Sequence, residues 1–183
     1  MTVHIETERL ILRDLRLTDL ESMFELDSNP LVHEYLGNKP FTDIKQSEEN
    51  IKSVLSQYNE RGIGRWATIE KLTGHFIGWT GLRLNTEYEM NGHTSFMDIG
   101  YRLMPKYWGQ GYATESSIAA LNYAFNTMQL ELINGITELG NEASHIVLLK
   151  IGLEHTEDFF CEQEQMKLRW YELKKVNYEK NMS

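Results

Sequence analysis

The nine residues Tyr107-Trp108-Gly109-Gln110-Gly111-Tyr112-Ala113-Thr114-Glu115 constrain this chain more than any other stretch. They lie between a predicted strand, Phe96 to Leu103, and a predicted helix, Tyr112 to Met128, which leads into a further strand, Leu132 to Thr137. A strand–helix–strand run crosses over right-handedly and leaves its two strands parallel. The start of a helix presents unpaired N–H groups and the positive end of the helix dipole, so it attracts anions. Glycines just before that start let the backbone close around the anion with no Cβ in the way. The loop therefore reads as a cradle for a phosphate or pyrophosphate.

The rest of the chain sets this loop in one domain. With 183 residues, 41% apolar and 25% charged, the chain can bury a full core and shows no dividing linker. We expect a single domain over residues 1–175 and a tail over 176–183, loose from Tyr178 onward. No run of about 18 apolar residues is present, and Met1-Thr2-Val3-His4-Ile5-Glu6 lacks the layout of a signal peptide. The single cysteine, Cys161, excludes an internal disulfide and a thiol-based zinc site. These features predict a cytoplasmic protein with no membrane contact. A net charge of −9 argues against nucleic-acid binding, which relies on basic surface, and suits cationic substrates.

Upstream of the loop, Ile5 to Leu15 reads as one extended segment. Thr18-Asp19 caps a helix through Met23, Phe24 and Leu26, interrupted at Asn29-Pro30 and followed by a short helix over Leu31 to Leu36. Thr42-Asp43 caps a longer helix in which Ile44, Ile51, Val54, Leu55 and Tyr58 recur at helical spacing, closed by Gly62. Strands at Trp66–Ile69 and Phe76–Leu82 are joined by the turn Lys71–Gly74, and Asn91-Gly92 turns the chain before Phe96. Asn141 caps a helix from Glu142 to Ile151, and Leu153–Phe160 with Met166–Leu173 forms a closing strand pair. The fold class expected is α/β (α+β), a mixed, mostly antiparallel central sheet of about seven strands with helices on both faces.

Two nucleotide-binding motifs fail at the loop. A Walker-type loop needs Lys followed by Ser or Thr after its last glycine, where Tyr112-Ala113 stand. A Rossmann fingerprint needs glycine or alanine at Thr114 and should open a parallel sheet, not follow an antiparallel meander. The six histidines include no pair at i, i+4, so no metal site is expected.

Ile99-Gly100-Tyr101-Arg102-Leu103, Pro105, the stretch Trp108–Glu115 and Asn141-Glu142-Ala143-Ser144 resemble the GNAT superfamily of N-acetyltransferases. Within it the chain is most similar to the ribosomal-protein alanine N-acetyltransferase (Rim-type) branch, whose opening strand Thr7-Glu8-Arg9-Leu10-Ile11-Leu12-Arg13 also matches. The resemblance implies a cleft between two splayed parallel strands that binds acetyl-CoA as co-substrate. It assigns the pyrophosphate to main-chain N–H groups over Gly109, Gln110, Gly111, Tyr112, Ala113 and Thr114, next to Trp108. The pantetheine arm would pair with the edge of Tyr101, Arg102 and Leu103, and Asn141 and Ser144 would meet the cofactor from the other side.

Transfer to an amine makes two proton demands. An ammonium with a pKa of about 10 must lose a proton, and a departing thiolate, comparable to a cysteine at about 8.5, benefits from gaining one. Asp98 matches a position that carries a glutamate base in some superfamily members, and Gly100 is expected to leave open space beside it. Its alternatives are a structural pairing with Arg102 or a turn, with a water chain as the base. Ser144 stands where Rim-type enzymes place a proton-donating serine, or else only begins a helix; Tyr101 and Tyr112 offer other hydroxyls. Direct transfer is expected, since Cys161 has no matched base. The resemblance implies a protein N-terminal α-amine as the acceptor, with a small amine such as a polyamine or aminoglycoside as the alternative. A non-catalytic acyl-CoA sensor is the rival reading, and the protein is a monomer or homodimer.

Overall fold

The computed structural model describes residues 3–182. Eight strands form one sheet in the order β1-β2-β3-β4-β5-β6-β8-β7. They are β1 (His4–Glu6), β2 (Leu10–Asp14), β3 (Arg65–Glu70), β4 (Phe76–Asn85), β5 (Phe96–Leu103), β6 (Leu132–Glu138), β7 (Glu154–Cys161) and β8 (Met166–Lys174). The helices are α1 (Leu20–Asp27), α2 (Pro30–His33), α3 (Ile44–Arg61), α4 (Tyr112–Asn122), α5 (Glu142–Lys150) and α6 (Lys175–Met182). Every strand pair is antiparallel except β5 with β6, as the strand–helix–strand run requires.

Strand alternation sends side chains to two cores. On one face Trp66, Leu82, Ile99 and Ile133 pack against Leu121 and Phe125 of the α4 region and Leu148 of α5. On the other, Ala67, Ile69 and Phe76 meet Met23 and Leu26 of α1 and Ile51 and Val54 of α3. The sheet is therefore covered on both sides, with α1–α3 on one face and α4–α6 on the other. Asp43 caps α3 as its sequence suggests, accepting the Lys45 N–H at 2.9 Å while Gln46 Oε1 accepts the Asp43 N–H at 3.0 Å.

Four local expectations change. The opening segment is two strands, because the Thr7 N–H donates to the Leu10 carbonyl at 2.9 Å and the Leu10 N–H donates to Thr7 Oγ at 3.0 Å, which reverses the chain. That raises the sheet from seven strands to eight. The short helix after Asn29 is confined to Pro30–His33, and Glu34–Asn38 continue as turns. The helix after the glycine loop widens at its end into a π-turn, Tyr123–Thr127, closed by the Met128 N–H on the Tyr123 carbonyl at 3.0 Å. The expected loose tail is α6: Tyr178 is buried and stacks on Phe125 with ring centroids 4.7 Å apart. An aromatic ring that finds an apolar wall gains enough burial to order a short terminal helix. Ser183, like Met1 and Thr2, lies outside the described residues.

Candidate active site

The glycine loop leaves β5 through a 3-10 turn at Pro105–Tyr107. The Trp108 indole N–H donates to the Leu103 carbonyl at 2.7 Å and folds the chain back over the end of its own strand. Gly109 (φ 70°) and Gly111 (φ 81°) take left-handed backbone that disfavours side chains, and a Cβ at Gly109 would meet nothing within 4 Å. No side chain caps α4, and the Glu115 N–H reaches the Gly111 carbonyl at 2.9 Å. The N–H groups of Tyr112, Ala113 and Thr114 are thus left for a ligand. This bare helix start behind two open glycines fits a pyrophosphate. The Gln110 side chain donates to the Lys106 carbonyl at 2.9 Å, so Gln110 contributes main chain to the cradle. Tyr112 is a packing residue: its ring is buried and its hydroxyl donates to Glu70 at 2.5 Å.

Beside the loop, the parallel strands pair only at Asp98 and Asn134 and part beyond them. The Met104 N–H donates across β4 to the Ile77 carbonyl at 2.9 Å. In an antiparallel pair the main-chain groups of successive residues point to opposite edges. Tyr101 and Leu103 therefore turn theirs toward the edge that β6 abandons, while Arg102 turns its own toward β4. An edge with no partner strand, its Leu103 carbonyl already taken by Trp108, can receive a ligand that carries amides at its remaining groups.

A cavity of 440 Å³ opens where the strands part, and Tyr101, Arg102, Asp98, Asn141 and Ser144 all line it. Tyr101 Oη lies 2.8 Å from Ser144 Oγ and donates to the Ser144 carbonyl at 3.1 Å. Burial pushes the Tyr101 phenol well above its ordinary pKa, so it stays protonated. Asn141 Oδ1 accepts the Ser144 N–H at 3.0 Å and caps α5, which fixes where Ser144 stands. Tyr35 and Leu36, in the turns after α2, close another side.

The opposite wall is charged. Arg65 of β3 pairs across the sheet with Gly81 of β4, which pairs with Gly100 of β5. With no side chain at Gly100, the Arg65 guanidinium lies over it, donates from Nη1 to the Gly81 carbonyl at 2.6 Å and reaches Asp98, Nη2 to Oδ2 at 2.9 Å. Asn85 donates to the other oxygen, Oδ1, at 2.8 Å. The space expected to be open beside Gly100 is therefore filled: a Cβ there would sit 2.7 Å from Arg65 Nη2. Burial works against the charge on Arg65, and Asp98 works for it. Arg102 pairs with the fully buried Asp27 at 2.6 Å, not with Asp98. Trp79 lies under both guanidinium groups, 5.3 Å from Arg65 and 5.2 Å from Arg102.

The model of the family described as "Acetyltransferase (GNAT) domain" matches residues 9–154. The chain belongs to this family of acetyltransferases. It is 31% identical over 150 residues to an uncharacterized N-acetyltransferase, YoaA, of Bacillus subtilis (strain 168), covering 82% of each chain. Its fold matches the crystal structure of the GNAT-family acetyltransferase from Bacillus anthracis with a TM-score of 0.77 at 24% identity, covering 95% of this chain and 99% of that one. It also matches spermidine N-acetyltransferase from Vibrio cholerae, solved with CoA and spermine, with a TM-score of 0.73 at 19% identity, covering 94% and 99%.

This GNAT chain is an acetyl-transferring enzyme, and its fold is the mixed open sheet of that family. The structure gathers Asp98, Tyr101, Arg102, Asn141 and Ser144 around one cavity, with Leu103 and Trp108–Thr114 at the end of the same strand. Trp66 and Trp170 are core residues and Trp79 is a cavity wall. Sequence reasoning missed Arg65, Asn85, Asp27, Glu138 and Glu164. Gly100 in Arg65's row was the available signal, legible only once the register is known. Among the described residues no group of three or more His, Cys, Asp or Glu could hold a metal, and no helix is long and apolar enough to cross a membrane.

Proposed function

We propose that this GNAT enzyme takes acetyl-CoA into the splay between β5 and β6 and passes the acetyl group directly to a primary amine in the adjoining cavity. The observation that carries this reading is a hydrogen-bonded hydroxyl pair in one cavity whose wall strand, β5, has no partner at its end and runs on to a bare helix start. Main-chain N–H groups of Gly109 to Thr114 hold the pyrophosphate, and the edge of Tyr101 to Leu103 holds the pantetheine amides. Trp108 keeps the loop folded against Leu103, and Asn141 borders the far side. Bound acetyl-CoA supplies a thioester carbonyl open to attack by an amine.

The chain's own groups then do the rest. Main-chain N–H of the β5 edge near Leu103 polarises the carbonyl oxygen. Ser144 Oγ passes its proton to the departing sulfur and takes up, through cavity water, the proton that the acetylated nitrogen loses, while Tyr101 Oη, 2.8 Å behind it, holds that hydroxyl in place. Both oxygens of Asp98 already accept a side-chain donor, so Asp98 receives the ammonium proton through water and not by direct contact.

The charge of the cavity favours a small polycationic acceptor. Its three arginines are each matched: Arg65 by Asp98 at 2.9 Å, Arg83 by Glu87 at 3.1 Å and Arg102 by Asp27 at 2.6 Å. Two lining carboxylates are left over, Glu138 and Glu164, and the Tyr88 hydroxyl donates to Glu164. A second ammonium of the acceptor fits there. The second reading, a protein N-terminal α-amine, is favoured by the Rim-type motifs Thr7–Arg13 and Trp108–Glu115.

Release of free CoA thiol, measured with a panel of polyamines, aminoglycosides and N-terminal peptides, tests the proposal. Turnover with diamines or polyamines well above that with peptides is expected. Acetyl-CoA binding with no thiol release across the panel would overturn it in favour of a sensor.

A further inference from the structure

The opening motif Thr7-Glu8-Arg9 has no part in the chemistry above, yet it is tied to the glycine loop. Glu115, in the first turn of α4, is gripped by that turn: Thr7 Oγ donates to its Oε1 at 2.5 Å, the Arg9 N–H to Oε1 at 2.9 Å and Arg9 Nε to Oε2 at 2.7 Å. Arg9 Nη1 also donates to the Gln110 carbonyl at 2.9 Å, and its guanidinium lies 4.3 Å over the Tyr112 ring. One side chain thus holds three successive parts of the loop and helix start.

Two consequences follow for an anion at this site. A trans peptide is rigid, with its carbonyl and the next N–H on opposite sides. Holding the Gln110 carbonyl toward Arg9 therefore turns the Gly111 N–H away from Arg9 and keeps it there. The second consequence is electrostatic. Burial alone would raise the Glu115 carboxyl, but the Thr7 and Arg9 donors outweigh it and keep Glu115 ionised. An unmatched carboxylate in the first turn would repel the phosphate that the helix start attracts; the Arg9 guanidinium at 2.7 Å cancels it.

We propose that Arg9 is a positioning residue for the cofactor loop, fixing the Gln110–Gly111 peptide and neutralising Glu115 so that the start of α4 can take a pyrophosphate. This inference rests on the reading of Gly109–Thr114 as the pyrophosphate loop. The test is calorimetric binding of CoA, together with KM for S-acetylpantetheine, which lacks the pyrophosphate, in wild type, Arg9→Gln and Arg9→Lys. Arg9→Gln should weaken CoA about tenfold, the scale of one lost charge-assisted contact, and leave S-acetylpantetheine within about twofold. Arg9→Lys keeps the charge but cannot span Gln110 and Glu115 together, and should weaken CoA about threefold. It carries the test by the same comparison if Arg9→Gln does not fold.

Unchanged CoA binding in Arg9→Gln would overturn the proposal. So would an equal loss for both ligands, which would mark a general structural role, or full recovery in Arg9→Lys, which would reduce the effect to charge. A wild-type protein that binds CoA no better than pantetheine would instead sink the loop reading itself, and the inference with it.

Discussion

Tyr101 and Ser144 meet hydroxyl to hydroxyl at 2.8 Å, joining β5 to α5 just beyond the point where β5 and β6 part. The contact sets a protonated phenol behind a serine that faces the cavity. Ser144→Ala should lower turnover by about 10- to 100-fold, the range for a lost proton donor, with CoA affinity within about twofold. Tyr101→Phe should cost less, about threefold, because Ser144 keeps its own hydroxyl. Steady-state kinetics beside calorimetry will check both, and wild-type turnover in Ser144→Ala would remove its role.

Asp98→Asn should act on stability and rate together. It leaves the Arg65 guanidinium in a nearly buried site without its counter-ion, a change that costs about 3–5 kcal/mol in comparable pairs. Turnover should fall and its pH profile shift. Adding Arg65→Met should restore much of the thermal stability without restoring the rate; recovery of both would make Asp98 purely structural.

Glu164→Gln should raise KM for a diamine about fivefold and leave KM for a monoamine unchanged, since a charge in a partly solvated cleft is worth about 1 kcal/mol. Paired KM measurements decide it. Equal KM changes for the two amines would remove Glu164 from acceptor selection.

His33 predicts a pH effect on stability. Burial, with the Arg102 charge adding to it, lowers its pKa below the ordinary 6.5. The unfolded chain therefore takes up the proton first as the pH falls, so stability is intact above about 6.5 and drains away below it. His33→Phe should flatten this acid limb. Neither ring nitrogen makes a hydrogen bond in good geometry, so the variant should lose little at pH 7.5. Urea unfolding at pH 5.5 and 7.5 measures the difference, and parallel losses in both proteins would reject the assignment.

Much of the glycine-loop side of the cavity was legible before the structure because it depends on short-range rules. Gly109 and Gly111 mark a left-handed turn, Asn141 marks a helix start three residues before Ser144, and a helix between two strands marks a parallel pair. The same rules failed where a few residues could go either way. Thr7–Arg9 is too short to signal a hairpin by periodicity, and the 175–182 helix depends on Tyr178 finding Phe125.

The chain's local chemistry determined the kinds of element, their order and the presence of a glycine loop ahead of a helix start, because dihedral preference, capping and hydrophobic period act within a few residues. Only the tertiary structure decided the partners of the charged groups. Asp98 meets Arg65 from 33 residues away, Arg102 meets Asp27 from 75, and Glu115 meets Arg9 from 106. Each pairing follows from sheet order, register and helix packing: Gly81 and Gly100 fall in one row with Arg65, and Gly100 leaves its guanidinium a path to Asp98. Sequence spacing carries no record of such a row, so the glycine loop could be read along the chain and the charged wall of the cavity could not.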